Sequence, residues 1–340
     1  MPVDGTWHKP RRVTLDDVAR AAQVSRALVS IVMREAPGAS AATRERVLAA
    51  ARDLGYRPDV RARSLAGQKS RLIGVMFGVG VGTFHFDLLE RLYDAAERQG
   101  HSLILSPLTK GRDERRAAQS LQDFRFDALI MLGPPTTEPL LAGKVPLVVV
   151  GWHVDHPAVD VVRTSDEHGM ALAVDHLVGL GHRRITHIDG GRGPIATSRR
   201  DGYVAAMRAH GLDQEIHVVP GGQTQLDGQR AARLLLSEGR LPTAVVAYND
   251  DVAVAAMGLI VQHGVEIPGR LSMVGWDDSE AARLSPIGLT SIVQPVDEIA
   301  DSVVRRIVAR IEGRRVEDRE VVLEPALMVR SSSQPAVRMS

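Results

Sequence analysis

From Leu72 onward the chain alternates short apolar runs with longer amphipathic stretches, and this rhythm constrains the fold more than any other feature. Apolar runs occupy 72–77, 103–106, 128–132, 147–150 and 159–162. Between them, 86–99 and 112–124 are expected to be helices, the first carrying Leu88, Leu89, Leu92 and Ala96 at helical spacing. The rhythm then restarts, with helices expected at 167–180, 199–210, 226–237 and 251–263. Strands are expected at 185–188, 217–219, 244–247 and 272–274. Strands apolar throughout are buried on both faces, as in parallel sheets covered by helices. Two successive rounds predict an α/β core of two similar lobes. Ligands of such sheets bind beyond the carboxyl ends of the strands, so a cleft between the lobes is the expected site.

The chain begins differently. Residues 13–34 read VTLDDVARAAQVSRALVSIVMR, two short helices joined by a turn at Ala22, Gln23 and Val24. Thr14 suits the first N-cap, with Asp17 completing a capping box in place of the usual Glu. Leu15, Val18 and Ala22 form its inner face. The second helix starts at Ser25 and turns Leu28, Val29 and Val32 inward. This is a helix-turn-helix, whose second helix enters the DNA major groove. A third helix follows, capped by Ser40 or Thr43, with Val47, Leu48, Ala51 and Leu54 as its apolar stripe and Gly55 as its stop. Next, 58–67 can form a helix from Pro58 to Gly67. It is short, basic and poor in apolar residues, so it is expected to order only against a partner or DNA.

Charge separates the two parts. Residues 1–70 carry 13 Lys and Arg against 7 Asp and Glu, an excess of six; the remainder carries 29 against 34, a deficit of five. Alone, that split fits a solvated basic surface as well as a polyanion-binding one; on a helix-turn-helix it favours DNA. There is no cysteine, which excludes disulfides and thiolate metal sites. Residues 1–12 are polar, without the apolar core of a secretion signal. The longest apolar runs, near 72–82 and 252–261, are too short to span a bilayer. A cytoplasmic protein without a membrane partner is expected. Gly78, Gly80 and Gly82 do not make G-x-G-x-x-G, 190–194 lacks the Lys-Ser/Thr of a phosphate loop, and G-x-S-x-G is missing. His182 and His187 lack metal-ligand spacing. No enzyme, cofactor or metal is expected.

At this point the residues resemble the LacI/GalR (lactose/galactose-repressor) family of bacterial regulators, from Val13 to about Arg330. VTLDDVARAAQVS at 13–25, TRERVLAAARDLGYRP at 43–58 and ARSLAG at 62–67 carry the resemblance in the headpiece. In the core it rests on LVGLGHRRI at 177–185, RRDGY at 199–203, Asn249-Asp250, GWDD at 275–278 and TSIVQ at 290–294. The resemblance implies a flexible arm at 1–12, a headpiece at 13–57, a hinge helix at 58–70 and a core at 71–331. The core would resemble periplasmic sugar-binding proteins. Three chain segments would cross between its lobes, one formed by about 71–162 and 291–323, the other by about 163–290 and 324–331. The tail, 332–340, has no heptad repeat, so a homodimer is expected rather than a coiled-coil tetramer.

By the same resemblance, double-stranded operator DNA is the partner. Ser25, Arg26 and Ala27 open the reading helix. Arg26 suits bidentate pairing with guanine and Ala27 a thymine methyl. Thr14, Ser25 and Ser30 suit phosphates, and Arg34 belongs with the DNA contacts. Ile31 stands where the family commonly has a polar or basic reader, and Asp59 where it usually has Asn. Ala62 and Leu65 share a face of the hinge, and Leu65 would wedge into the minor groove.

The implied effector is a small sugar-like molecule. Phe84 and His85 follow the first strand, Arg199 matches the arginine that pairs with ligand hydroxyls or carboxylates, and Asn249 and Asp277 follow strands. Asp166 lies at a lobe junction. Gln223 replaces a stacking aromatic residue, for which Trp152 or Trp276 could substitute. Each has a plainer role open to it: Asn249 could cap the next helix, Asp277 a turn, and Phe84 could be core. The function implied is ligand-controlled repression through two states with reciprocal coupling. Activation, co-repression and simple small-molecule binding remain the alternatives.

Overall fold

The computed structural model describes residues 13–33, 36–56, 70–78, 82–109, 111–133, 144–239, 241–284, 286 and 288–337. Arg34, Asp59, Ala62 and Leu65, the arm at 1–12 and the hinge segment 58–67 lie outside the described residues. The chain divides into two compact units, Met1–Ser70 and Arg71–Ser340.

The first unit contains α1 (Leu15–Ala21), α2 (Arg26–Met33) and α3 (Ala41–Asp53). Thr14 and Asp17 form the expected capping box: Thr14 Oγ1 accepts from the Asp17 amide and the Asp17 carboxylate accepts from the Thr14 amide. Gln23 holds the tight turn in the left-handed region at φ 53°. Ser25 caps α2 by accepting from the Leu28 amide at 3.2 Å. Ser40 caps α3 through the Thr43 amide. Val18, Ala22, Val29, Val32 and Val47 close a small core. Arg44 and Arg46 of α3 donate to the Ala36 and Ala22 carbonyls, at 3.0 and 3.1 Å. These cations satisfy acceptors at the ends of α2 and α1, where the helix dipole favours positive charge. The stripe expected on α3 is half right: Val47 and Ala51 are buried, whereas Leu48 and Leu54 stay exposed. Three short helices enclose too little volume to cover a full apolar face.

The second unit contains two six-stranded sheets. The first has the order β11-β5-β4-β3-β1-β2, all parallel. Its strands are β1 (Leu72–Gly78), β2 (Ser102–Leu108), β3 (Ala128–Leu132), β4 (Leu147–Val150), β5 (Val159–Thr164) and β11 (Glu320–Leu323). Helices α4 (Thr83–Arg98) and α11 (Val296–Ile311) cover one face, packing Leu88, Leu92, Val303 and Ile307 on Ile73, Val75, Ile130 and Val148. Helix α5 (Glu114–Gln122) covers the other, with Leu121 on Met76, Leu129, Met131 and Val149. The alternation of Ile73 and Val75 against Met76 is the period-two signature of a strand covered on both sides.

The second sheet has the order β12-β10-β9-β8-β6-β7, with only β12 antiparallel among its described pairings. It comprises β6 (Ile185–Ile188), β7 (His217–Val219), β8 (Ala244–Ala247), β9 (Ser272–Asp277), β10 (Thr290–Val293) and β12 (Ala326–Met328). Helices α6 (Asp166–Gly179) and α7 (Pro194–Ala209) lie on one face, α8 (Gln225–Ser237) and α9 (Asp250–Gln262) on the other; α10 (Glu280–Leu284) is short. The chain passes between sheets three times, after β5, β10 and β11. Two boundaries differ from expectation. Arg163 and Thr164 pair with β11 in the first sheet, and Ser291–Val293 pair with β9 in the second, so the first lobe resumes after Val293 rather than at 291. The expected tail is also part of the core as far as it is described. Ser332 is buried, its amide donates to the Gly288 carbonyl, and the Ala336 amide donates to Leu180. Among the described residues no helix is long and apolar enough to cross a membrane.

Candidate DNA-reading face and effector cavity

The start of α2 is open to solvent, and Ser25, Arg26 and Ala27 are all exposed there. The Arg26 guanidinium stands 3.6 Å from Asp16, both well exposed. A pair this solvated is weak, so Arg26 can exchange it for a base edge. Thr14 is exposed, with its hydroxyl engaged in the capping box. Ser30 and Ile31 are half-buried. Ile31 accepts the Ala36 amide through its carbonyl and lies close to Gly38. Its side chain therefore packs toward the loop between α2 and α3.

In the core unit a cavity of about 60 Å³ lies between the lobes, beyond the carboxyl ends of the strands. At the ~10–15 Å³ a water needs, it has room for roughly four to six. Phe84, Leu88, Leu132, Val150 and Ile299 from the first lobe, with Ile195 of α7, give it an apolar wall. Asp166, Arg199, Asn249, Asp277 and the crossover residue Gln294 give it a polar one.

The polar wall is organised around Arg199, which is 6% exposed. Its Nε donates to Asp166 Oδ1 at 3.0 Å and its Nη1 to the Tyr248 carbonyl at 2.6 Å. The guanidinium carbon lies 4.1 Å from the Trp276 ring centre and 4.7 Å from that of Tyr248, within cation–π range. Burial opposes the charge on Arg199, but Asp166, Tyr248 and Asp277 outweigh it and push the group above its ordinary value. Burial pushes the Asp166 carboxyl up while Arg199 pulls it down; the hydrogen-bonded ion pair is the arrangement the geometry describes. Burial pushes Asp277 well above the usual carboxylate range, against the pull of Arg199. Gln294 Nε2 donates to Asp277 at 2.7 Å, and Gln294 Oε1 accepts from the Thr164 hydroxyl at 2.8 Å. One amide thus links a cavity carboxyl to two of the crossovers. His85 is lowered to about 4 by burial and by Arg199, so its ring is neutral. Asn249 caps α9 through the Val252 amide and donates to the Gln223 carbonyl.

Residues 14–59 match the family described as bacterial regulatory proteins, lacI family, and 174–333 match the periplasmic binding protein-like domain. The Escherichia coli ribose operon repressor is 32% identical over 332 residues, covering 94% of this chain and 99% of its own. The chain belongs to the LacI family. It is a DNA-binding regulator with a periplasmic-type ligand domain, not an enzyme. The E. coli regulator GalR is 30% identical, covering 96% of this chain and 98% of its own. The Lac repressor dimer solved with operator and the anti-inducer ONPF aligns with a TM-score of 0.84 at 28% identity, covering 95% of this chain and all of that one. A LacI regulator from a Rhodococcus species aligns at 0.74 and 40% identity, over 78% of this chain and 99% of its own.

Seven of the nine residues expected around a LacI-type effector line the cavity: Phe84, His85, Asp166, Arg199, Gln223, Asn249 and Asp277. The two tryptophans do not. Trp152 is buried in the first lobe beside Val154 and Val159. Trp276 is fully buried under Arg199, because adjacent strand residues face opposite ways and Asp277 takes the cavity side. Tyr248, Arg163, Thr164, Ile195 and Gln294 line the cavity without having been anticipated. Four of these follow a strand or sit beside a crossover, the signal that could have found them.

Proposed function

We propose that this LacI-family chain is a repressor dimer whose hold on operator DNA is set by a small neutral polyol in the inter-lobe cavity. The observation that carries the reading is the cavity's two-sidedness. A buried Arg199–Asp166 pair, Asn249 and Asp277 oppose an apolar wall built on Phe84 and Leu88. Such a site suits a ring with hydroxyls on one edge and carbon on its faces. Hydroxyls of that ring would take the places of the few waters the cavity admits. The ribose repressor and the ligand-bound Lac repressor are the relatives whose names point to such effectors. Polyol binding would alter lobe closure and, through Gln294, the crossovers.

On the DNA side, Arg26 and Ala27 would read bases, Thr14, Ser25 and Ser30 would hold phosphates, and Leu65 would wedge the minor groove with Ala62 beside it. Ile31 would pack on a thymine methyl. Phe86, Leu226 and Leu284, all more than two-thirds exposed, suit burial in a homodimer. The division into headpiece to 57, hinge to 70 and core beyond belongs to the same reading, as does a cytoplasmic location. Selection of operators from random duplexes, then a panel of sugars, sugar phosphates, nucleosides and purines scored for change in operator affinity, tests it. Enrichment of a pseudo-palindrome released by one neutral sugar is expected. A response confined to anionic or aromatic compounds would sink the polyol assignment.

A further inference from the structure

Helix α4 starts without a cap of its own. Its N-cap residue is Gly82, which offers no side chain to the amides of the first turn, and such amides need an acceptor. The acceptor comes from the other lobe. Asp251, in the first turn of α9, accepts the Thr83 amide through Oδ2 at 3.0 Å. Its Oδ1 accepts from Gln225 Nε2 at 3.3 Å, and the residue is 7% exposed. The approach requires glycine: a Cβ on Gly82 would stand 2.1 Å from Asp251 Oδ2. One carboxylate therefore sits at two helix N-termini at once, its own and that of α4, where the peptide dipoles favour an anion. Gly82 and Asn249 line the cavity, so this contact stands at its edge and belongs to none of the three crossovers.

We propose that Asp251 is a positioning residue that latches the two lobes together by capping α4 across the cleft. The inference rests on the cleft being the effector site only for its consequence, not for the latch itself. Asp251 touches no ligand; it acts through the fraction of molecules that are closed. A binding-competent state that is only partly populated weakens apparent affinity by that fraction. Opening the lobes takes the acceptor from the Thr83 amide and returns the carboxylate to water, so each closed molecule keeps a charge-assisted bond that an open one lacks.

The chain has no cysteine, which makes distance measurement direct. Spin labels on Ser120→Cys of α5 and Ser237→Cys of α8, both exposed, report the lobe-to-lobe distance in the full-length, ligand-free protein by pulsed electron resonance. Asp251→Ala is expected to lower the closed-to-open ratio about ten-fold, equivalent to about 1.4 kcal/mol. Asp251→Asn keeps a neutral acceptor and is expected to lower it about three-fold. Gly82→Ser combined with Asp251→Ala supplies a cap from within α4. It is expected to restore the thermal midpoint but not the short distance. Unchanged distances in both single variants would overturn the latch, as would a short distance restored by the double variant, which would reduce Asp251 to a helix cap. Changed distances together with no response to any panel compound would instead sink the effector reading and leave the latch standing.

Discussion

Asp250 is 1% exposed, yet its carboxyl accepts from the Ser279 amide and the Ser291 hydroxyl, each at 2.7 Å. Burial pushes it up to about 7. An acid raised on folding holds a proton that the unfolded chain has released, so its contribution to stability falls as pH rises from about 4 to about 7, by roughly 1.4 kcal/mol per unit. Asp250→Asn keeps an oxygen for the Ser279 amide, can donate to Ser291 Oγ instead of accepting from it, and cannot ionise. Its advantage over the parent in urea midpoint should grow from pH 4 to 7 and then level off. His85 and His187, both lowered to about 4 by burial, act in the opposite sense below pH 6.5, but equally in both proteins. Asp166 is the converse case. Asp166→Ala would strand the Arg199 charge in the interior, and removing one partner of a buried pair costs about 3–5 kcal/mol; the same titration at pH 7 measures it. A loss under 1 kcal/mol would mean that Tyr248, Trp276 and Asp277 hold the guanidinium without Asp166. Asp166 was legible at the junction between the lobes, and Asn249 because a polar side chain just after an apolar strand is conspicuous. Which of Trp276 and Asp277 faced the cavity was not, since a one-residue step decides it.

The strands that could be read were mostly those buried on both faces: β3, β4, β6 and β8 fall where their apolar runs do, as does the partly exposed edge strand β7. Strands β11 and β12 escaped because they are short and partly exposed, their apolar residues split by Glu324 and Pro325. Helix α11 carries Ile299, Val303, Ile307 and Val308 at helical spacing, a legible signal lying beyond the last expected strand at 272–274. The C-terminal segment has no heptad repeat and reads SSSQPA at 331–336, polar and without an apolar run. The structure uses that polarity as a strap: Ser332 Oγ accepts the Thr290 amide at 2.8 Å and donates to the Met273 carbonyl at 2.6 Å, fully buried. Ser332→Ala leaves that amide without an acceptor, and a loss of about 1–3 kcal/mol is expected, read as a shift in thermal midpoint. Ser333, whose hydroxyl meets His176 and Thr290, adds a second fastening.

At the scale of the whole molecule, charge and topology divide the labour. The basic first 70 residues and the mildly acidic remainder predict operator affinity that falls about a thousand-fold between roughly 50 and 200 mM salt, linearly on logarithmic axes. Fluorescence anisotropy on the selected operator measures it. Arg26→Ala should lose about 1–3 kcal/mol against one base pair while barely changing that slope; a changed slope with unchanged base preference would assign Arg26 to phosphate instead. Topology has a further result. Each sheet is finished by a strand from the far end of the chain, β11 at Glu320–Leu323 and β12 at Ala326–Met328, whereas the helix-turn-helix unit is already complete in sequence by Ser70. At about 5–20 residues per second, a ribosome makes the DNA-reading end tens of seconds before either lobe has its last strand. During synthesis the reader therefore exists for a time without the device that governs it.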